Sequence, residues 1–519
     1  MLKPKAKALN SPDASLATPA ATPRIIPRSE HAISRSHISP NALRVLYRLR
    51  DAGFMAFLVG GCVRDLLIGI EPKDFDVATD ALPEQVKRLF RNCRLVGRRF
   101  RLAHVFFGRE TIEVATFRAA SAPSQGDEPL PEADPEDGEV PELDEAQLEA
   151  EPAEAAEAPM RRAAETVGRA AQESAAADAD ADAEDADRSF DPSGRILRDN
   201  VYGTIDEDVW RRDFTANALY YNIADFSLWD YVNGARDVAA RTLRLIGDPE
   251  TRYREDPVRM LRAARFEAKL GFQIDPATAR PMGPLRELLG AVPPARLFDE
   301  TLKLFLTGHG ARSFQVLRRR GLLAALLPTV DAYLTTHPGS LVEKLLLQGL
   351  ENTDARVLAD KPVTPVFLFA LLLYGPIAAL IESAPPARWH ELATILEACD
   401  RAMREAQARI AIPRRFSLGV REMFALQPRL EHPRGRRALR VLEHPRFRAA
   451  YDLLLLRAAH GLAPADMAQW WTRLQEVSAE ERGRMADALA GETSGRSAAP
   501  GGRRRGRRRR RRAGPASSG

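Results

Sequence analysis

Two aspartates in the first hundred residues have the types and spacing of a divalent-cation site. Asp74 and Asp76 are separated by one apolar residue, Phe75. If this stretch forms a strand, both carboxylates point to one face of it. Like charges side by side on a strand repel, so a fold keeps them there mainly when a cation offsets the cost. The pair therefore indicates metal-assisted chemistry, although an Asp-x-Asp alone is usually a loop or cap feature.

A glycine pair lies shortly before these acids. Residues 54–59 predict an apolar strand, Gly60 and Gly61 end it, and a helix-like run over 63–68 follows. Glycines allow close backbone approach, and a helix N-terminus after such a turn can hold phosphate. Alone, a glycine pair between apolar runs is most often only a turn. Beside two carboxylates it predicts a phosphate site next to a metal.

A third acid, Glu113, lies in an apolar run that predicts the second strand of a hairpin. The hairpin covers residues 105–117 and turns at Gly108 and Arg109. A carboxylate buried in a strand is costly without a partner; the alternative is that Glu113 faces solvent at a sheet edge.

Basic residues precede that hairpin. Arg98, Arg99 and Arg101 form a cationic run within residues 94–104. Such clusters are more often a solvated face, but this one lies between the acidic motifs. It is therefore a candidate contact for a triphosphate or an RNA backbone.

Five motifs follow one another with informative spacing: LVGG-x-VRD-x-L at 58–67, DFDVAT at 74–79, RRDFT-x-NAL at 211–219, RYREDP-x-RMLR at 252–262 and PPARLF-x-E at 293–300. In order and spacing this set resembles the class II nucleotidyltransferases, which comprise the bacterial poly(A) polymerases and the CCA-adding enzymes. The resemblance covers residues 37–310. It implies an α+β fold, in which a small catalytic domain with a mixed β-sheet is followed by an extended all-helical region.

The resemblance also implies a set of catalytic acids. Asp74 and Asp76 would hold two Mg²⁺ ions, which activate an RNA 3′-hydroxyl and support the leaving pyrophosphate. In nucleotidyltransferases of this kind a third carboxylate joins the pair from a neighbouring strand. Either Glu113 or Asp213 completes the set; an N-cap is the alternative role for Asp213.

The same resemblance assigns seven residues to the nucleotide, ATP: Gly60, Gly61, Arg64 and Arg212 to the triphosphate, Asn217 to the ribose, and Asp256 and Arg259 to the base. Asp256 and Arg259 are three apart on a helix predicted over 252–269, hence on one face. A surface ion pair is the alternative. However, a carboxylate accepts from an exocyclic amino group while a guanidinium donates to a ring acceptor, which together match the Watson–Crick edge of adenine or cytosine.

The predicted elements place these motifs. Ser39 and Pro40 predict a capped start for the first helix, and residues 81–90 predict another helix. Residues 210–221 predict a helix that begins at Asp213, and residues 228–237 a strand and turn that close the sheet.

The chain divides into five predicted regions: a disordered segment at 1–36, a catalytic domain at 37–240 interrupted by a disordered acidic insertion at 119–190, a helical neck at 241–310, a helical RNA-binding body at 311–490, and a disordered Arg-rich tail at 491–519. The insertion is interpreted as a spacer, with nucleic-acid mimicry as the alternative. In the body, Arg446, Arg448 and Arg457 are candidate phosphate contacts.

Composition limits the remaining classes of protein. The 519 residues carry a net charge of +5, with three scattered cysteines that are too few for a disulfide framework or a zinc site. Residues 363–381 are apolar for about the length of a membrane span. Pro365, Gly375 and Pro376 interrupt them and favour two buried helices with a bend. We expect a cytoplasmic monomer without stable membrane insertion.

Two alternatives remain beside the favoured function. Four segments resemble the corresponding segments of bacterial poly(A) polymerases: residues 198–205, 293–305 and 443–454 and the basic tail. This resemblance implies addition of AMP from ATP to RNA 3′ ends, mRNA among them. A CCA-adding enzyme is the alternative within the family. A non-catalytic RNA-binding scaffold is the alternative outside it, but its signature would be degenerate acids, and Asp74, Asp76 and Asp213 are all present.

Overall fold

The computed structural model describes residues 22–97, 101–108, 110–119, 188–190, 196–199 and 201–496. They fall into two compact units. The first comprises the described residues up to Pro338, with Leu347–Leu368 and Met403–Pro413. The second comprises Gly339–Leu346, Phe369–Ala402 and the described residues from Arg414 onward. The predicted catalytic domain and neck thus lie within one unit.

An eight-stranded sheet forms the centre of the first unit, in the order β1-β10-β9-β2-β3-β6-β5-β4. The pair β3 and β6 is parallel and the other six neighbouring pairs are antiparallel, which confirms the predicted mixed sheet. Its strands are β1 Arg24–Ile26, β2 Ala56–Val59, β3 Asp76–Thr79, β4 Cys93–Val96, β5 Leu102–Phe107, β6 Glu110–Thr116, β9 Leu219–Asn222 and β10 Leu228–Asp230. Two smaller pairs are β7 Arg188–Phe190 with β8 Ile196–Asp199, and β11 Thr242–Leu243 with β12 Gln273–Ile274.

Helices surround the sheet and then make up the rest of the described chain. Those up to Pro338 are α1 Pro40–Asp51, α2 Gly61–Leu67, α3 Pro83–Leu89, α4 Ile205–Arg211, α5 Gly234–Ala239, α6 Pro249–Glu255, α7 Val258–Leu270, α8 Pro276–Ala279, α9 Met282–Leu285, α10 Pro294–Phe305, α11 Gly310–Arg319, α12 Leu322–Leu326 and α13 Pro328–Thr336. Those beyond it are α14 Leu341–Leu358, α15 Pro365–Leu372, α16 Tyr374–Glu382, α17 Leu392–Gln407, α18 Arg414–Glu431, α19 Arg437–Leu442, α20 Phe447–Ala459, α21 Ala465–Glu476 and α22 Ala479–Arg496.

Helix α1 begins as the sequence predicts. The Ser39 hydroxyl accepts from the backbone N–H groups of Asn41 and Ala42, and Pro40 occupies the first turn, where a missing N–H costs nothing. Glu110 of β6 accepts hydrogen bonds from both the Ser39 hydroxyl and the Asn41 amide, the latter at 2.6 Å. The start of α1 is therefore tied to the sheet.

The core beneath the site is aromatic. Phe57 of β2 is 1% exposed, and its ring centroid lies 6.1 Å from that of Tyr220 and 5.2 Å from that of Trp229. Phe117 completes this group at 6.2 Å from Phe57. Truncating a buried phenylalanine of this kind to alanine costs about 3–5 kcal/mol, so these contacts hold β2 and β9 together.

Two predicted helices are wrong in part. Residues 210–221 do not form one helix, because Leu219–Asn222 is an interior strand paired with β2 and β10, where its buried tyrosines pack well. The helix predicted over 252–269 is broken between α6 and α7. Asp256 precedes Pro257, which disfavours helical backbone, and its φ of −149° and ψ of 92° are extended. Asp256 therefore does not share a helix face with Arg259.

The N-terminal prediction is also corrected. Residues 22–36 were expected to be disordered, but Arg24–Ile26 forms the edge strand β1, paired with β10. Ile26 and Ile33 are buried at 6% and 0% exposure, which gives this segment an apolar anchor. Residues 1–21 lie outside the described residues, as do Arg98, Arg99, Arg109, residues 120–187 of the insertion and the tail arginines at 503–512. The predicted disorder is wrong at 188–190, which form β7, and at 491–496, which end α22.

In the second unit, helices α18, α20 and α21 pack around Trp471, which is 0% exposed and donates from its ring N–H to the Leu430 carbonyl at 2.7 Å. Arg457 is buried beside them. Its guanidinium contacts Glu431 at 2.5 Å, the Gln427 side chain at 2.9 Å and the Tyr374 hydroxyl at 3.0 Å. This side chain stabilises the helices, which contradicts its predicted role as a phosphate contact.

The predicted pair of apolar helices with a bend is present. No single helix among the described residues has the length and apolar content to cross a membrane. Helices α15 and α16 reach that length and apolar content only when they are counted as one segment, and they are bent by 48° at the break between them. The bend lies where the breakers predicted it. Cys62, Cys93 and Cys399 are free and buried.

Candidate active site

The glycine pair joins β2 to α2. Gly60 has a φ of +80°, a backbone conformation that side chains rarely adopt. A Cβ built on Gly60 would lie 3.7 Å from Asp76 Oδ2 and 3.8 Å from Arg212 Nη1, and one on Gly61 would lie 3.4 Å from Arg64 Nη2. The fold thus brings together predicted residues that are about 150 positions apart.

Carboxylates gather at the start of β3. Asp76 is its first residue and the direct neighbour of Glu113 in the parallel pairing with β6. Burial, then Glu113 and Asp74, raise the pKa of Asp76 to about 7 against the opposing effect of Arg212. Burial and Asp74 also raise the pKa of Glu113, although half of its side-chain surface is exposed. The three negative charges therefore act on one another.

Two details differ from the sequence analysis. Asp74 precedes β3 and is exposed, so alternation along a strand does not place it on the face of Asp76. Glu113 does face solvent, yet β6 is an interior strand between β3 and β5. His104 of β5 is its neighbour on the other side, with His104 Nε2 at 3.7 Å from Glu113 Oε1.

The acids fit a divalent cation by their chemistry. Carboxylate oxygens are the donors that Mg²⁺ prefers, and a cation would relieve the repulsion around Asp76. Among the residues described, no three His, Cys, Asp or Glu side chains converge closely enough to hold a metal ion. Binding would therefore require the side chains of Asp74, Asp76 and Glu113 to turn toward one another.

Arg212 lies between these acids and the core. Its guanidinium donates to Asp208 Oδ2 at 3.0 Å and to the Tyr220 hydroxyl at 2.7 Å. Burial alone would lower the pKa of Arg212, but Tyr220 and Asp208 outweigh it and raise the pKa. The Arg212 carbonyl accepts from Arg252 Nη2 at 2.7 Å, which fixes the backbone as well. A permanent positive charge is thus held next to Asp76.

Arg64, Asn217 and Asp213 form a buried chain of hydrogen bonds. Arg64 Nη1 donates to Asn217 Oδ1 at 2.5 Å, and Asn217 Nδ2 donates to Asp213 Oδ1 at 3.2 Å. Arg262 completes the chain by donating to Asp213 Oδ2 at 2.5 and 2.8 Å. Burial opposes the charge on Asp213, yet Arg262 holds the pKa of this carboxyl at about 2.

This chain changes how two predicted residues are interpreted. Arg64 is 2% exposed and also binds Asp65 Oδ1 at 2.7 Å, so its guanidinium faces protein groups rather than open space. Both Asp213 oxygens are occupied by protein donors, whereas Glu113 is half exposed beside Asp76. The geometry favours Glu113 over Asp213 as the third carboxylate.

The predicted base-reading pair is engaged by other side chains. Asp256 accepts two hydrogen bonds from Arg296, at 2.8 and 2.7 Å. Arg259 donates to Glu255 Oε2 at 2.9 Å and to the Arg252 carbonyl at 2.7 Å. Asp256 lies between α6 and α7 and Arg259 lies in the first turn of α7, but their polar groups are directed at these partners.

Sequence reasoning missed several residues of the site. Asp208 could have been found, because it lies four residues before Arg212, the spacing of a helical ion pair. Arg262 stands in the quoted motif without an assigned role. Arg296 likewise stands in a quoted motif without an assigned role, whereas Tyr220 gave no signal, because only the folded sheet brings it to Arg212.

Three regions match described protein families. Residues 56–244 match the Poly A polymerase head domain, residues 271–334 the "Probable RNA and SrmB- binding site of polymerase A", and residues 387–512 the "Polymerase A arginine-rich C-terminus". The first match contains Gly60, Asp76, Glu113 and Arg212.

Curated relatives agree with these matches. Poly(A) polymerase I of Salmonella typhi is 44% identical over 471 residues, 90% of this chain and 88% of that protein. Poly(A) polymerase I of Haemophilus influenzae is 39% identical over 88% of this chain and 89% of that protein. A CCA-adding enzyme of Lactobacillus helveticus is more distant, at 29% identity over 53% of this chain and 52% of that protein. The chain is therefore a nucleotidyltransferase that belongs to the poly(A) polymerase family.

Proposed function

We propose that this enzyme adds AMP from ATP to the 3′ ends of RNA without a template and so builds poly(A) tails. One observation carries the proposal. Asp76 and Glu113 are neighbours on β3 and β6, and Asp76 meets the permanent charge of Arg212 at the Gly60 turn. Paired acids, a fixed cation and an open glycine backbone are what transfer of a nucleotidyl group requires.

We further propose that Asp74 and Asp76 hold two Mg²⁺ ions, with Glu113 as the third carboxylate. When bound, Mg²⁺ neutralises phosphate charge and lowers the pKa of a coordinated hydroxyl. The backbone pairing of β3 with β6 places Asp76 beside Glu113, and Asp208 and Tyr220 hold the Arg212 guanidinium near Asp76.

The nucleotide would lie along the Gly60 turn. Gly60 and Gly61 let the backbone approach the triphosphate, and Arg212 neutralises part of its charge. Asn217 would meet the ribose from its place between Arg64 and Asp213. Arg64 acts chiefly by holding Asn217, because its guanidinium is buried.

Base recognition by Asp256 and Arg259 requires a change of partners. Arg296 must release Asp256, and Glu255 must release Arg259, before either side chain can meet an adenine edge. Exchanging one charged partner for another costs less than burying either group unpaired. ATP binding and rearrangement of this segment are therefore proposed to occur together.

Extension assays with single nucleotides test the proposal. The purified protein is incubated with Mg²⁺ and an RNA that ends in a 3′-hydroxyl, and separately with tRNA that lacks its CCA end. We expect long tails with ATP alone on both RNAs. Incorporation from CTP as efficient as that from ATP would instead support the CCA-adding alternative, and no addition from any nucleotide would support a binding scaffold.

The RNA class and location are part of the same proposal. We propose that mRNA 3′ ends in the cytoplasm are substrates; the three buried free thiols are consistent with a reducing compartment. Sequencing of 3′ ends from cells with and without the active enzyme would test this, since the proposal expects A-tails on mRNA that disappear with activity.

A further inference from the structure

Three guanidinium groups surround one buried aromatic ring in α7. The Cζ atoms of Arg64, Arg262 and Arg265 lie 5.4, 5.6 and 4.7 Å from the centroid of the Phe266 ring. Phe266 is 8% exposed, and Phe214 packs edge-on against it with centroids 5.7 Å apart. Cations within about 6 Å of a ring are attracted to its face, and more strongly when water is excluded.

Each of the three arginines has a carboxylate of its own. The closest contacts are 2.7 Å from Arg64 to Asp65, 2.5 Å from Arg262 to Asp213 and 2.7 Å from Arg265 to Glu300. All three acids are almost buried, at 10%, 11% and 5% side-chain exposure. We call these seven residues the Phe266 cluster: Phe266, Arg64, Asp65, Arg262, Asp213, Arg265 and Glu300.

The Phe266 cluster joins four segments of the first unit. Arg64 and Asp65 belong to α2, which starts at the glycine turn, and Asp213 belongs to the segment that carries Arg212. Phe266 and the other arginines belong to α7, and Glu300 to α10. Helix α7 also carries Arg259, one turn before Arg262, so the cluster links the triphosphate side of the site to the base side.

We propose that Phe266 and Arg262 are positioning residues for nucleotide selection, because they fix α7 relative to the glycine turn. The proposal rests on the proposed base reading by Asp256 and Arg259. A base is read correctly only when its reader lies at a fixed distance from the site that holds the triphosphate. Loosening the Phe266 cluster leaves the acids of β3 in place but lets α7 shift, so a cytosine edge is no longer rejected.

Two conservative variants test this. Phe266→Leu keeps an apolar side chain but removes the ring. Arg262→Lys keeps the charge but removes the pair of hydrogen bonds that the guanidinium donates to Asp213. Each has a matched control outside the cluster. Phe424→Leu changes a phenylalanine that is 4% exposed in α18, and Arg254→Lys changes a surface arginine of α6.

The readout is the ratio of kcat/KM for ATP to kcat/KM for CTP, with the thermal midpoint measured in parallel. We expect both cluster variants to lower this ratio about tenfold, the scale of coupling between groups in contact. The controls should leave the ratio unchanged even where they lower the thermal midpoint by a similar amount. A general loss of stability would lower kcat/KM for both nucleotides together and leave the ratio as it was.

A double variant separates this proposal from the one it rests on. Asp256→Asn alone should lower the ratio, and adding Phe266→Leu should then change it little, because both act on one step. If Asp256→Asn leaves the ratio unchanged, the base-reading assignment is wrong. If Asp256→Asn lowers the ratio but Phe266→Leu and Arg262→Lys behave like their controls, the positioning proposal is wrong.

Discussion

Asp76 and Glu113 lie directly opposite each other across the parallel pairing of β3 and β6. Two acids in this arrangement repel, and the third negative charge, on Asp74, raises the pKa of both. A sheet built only for stability would not keep them, since like charges on neighbouring strands are destabilising. Asp76 also lies at the Gly60 turn, and the proposed function explains why the acids are kept, since a bound cation would offset their repulsion.

Neutralising Asp76 should make the protein more stable while removing its activity. Asp76→Asn relieves the repulsion with Glu113 and Asp74, so without metal we expect the free energy of unfolding to rise by about 1 kcal/mol. Chemical denaturation checks this. Glu71→Gln is the control, since Glu71 is an exposed acid in the loop before β3; a lower stability for Asp76→Asn than for this control would contradict the repulsion.

Gly60 should be needed for the site and not only for the fold. Gly60→Ala places a methyl group 3.7 Å from the Asp76 carboxylate, in a backbone conformation (φ +80°, ψ −136°) that costs an alanine about 1–3 kcal/mol. Gly53→Ala is a matched control, because Gly53 has a φ of +88° and a Cβ there would meet nothing within 4 Å.

We expect Gly60→Ala to lose at least as much stability as Gly53→Ala in thermal denaturation, and only Gly60→Ala to lose nucleotide addition, by about tenfold or more. Equal activity of the two variants would mean that the turn serves the fold alone.

The Asp213–Arg262 pair should give stability a defined pH dependence. The pKa of Asp213 is lowered from 3.8 to about 2 in the folded protein, so its contribution is present above pH 4 and is lost as the pH falls toward 2. Asp213→Asn should therefore be less stable than the parent chain by about 2 kcal/mol at pH 7, and the difference should shrink toward pH 2. Urea unfolding at several pH values measures it; a difference that stays constant with pH would contradict the ion pair.

Arg457 and Arg448 should differ in how much they contribute to the stability of the second unit. Arg457→Ala leaves Glu431 buried without its partner, so we expect a loss of about 3 kcal/mol in the free energy of unfolding. Arg448 is 69% exposed, and Arg448→Ala should change stability by less than about 0.5 kcal/mol. Guanidinium denaturation measures both variants. A large loss of stability for Arg448→Ala, or none for Arg457→Ala, would contradict these assignments.

Local sequence signals predicted the parts of the fold that local chemistry decides. The Ser39 cap, the strand–glycine–helix unit around Gly60 and the β5–β6 hairpin each depend on a few adjacent residues, and the structure contains all three. The helix predicted through Leu219 failed for the opposite reason. Its tyrosines form a strand because β2 and β10 lie on either side, and no local pattern contains that information.

The site divides in the same way. Residue types and order identified Asp76, Glu113 and Arg212, but not which side chains are already engaged. Arg64 contacts Asn217 at a separation of 153 positions, Asp213 contacts Arg262 at 49 and Asp256 contacts Arg296 at 40, so these contacts could not be read from the motifs. Long-range ion pairs are specified by the packing of whole helices rather than by spacing.

The central claim is that the acids at the start of β3 perform nucleotidyl transfer. The most direct measurement is incorporation of labelled AMP from ATP into an RNA with a free 3′-hydroxyl, by the parent chain, Asp76→Asn and Glu71→Gln, with RNA binding measured on the same samples. We predict that Asp76→Asn binds RNA normally but incorporates AMP at less than about one-thousandth of the parent rate, while Glu71→Gln matches the parent. Incorporation by Asp76→Asn at a rate near that of the parent chain would contradict the account.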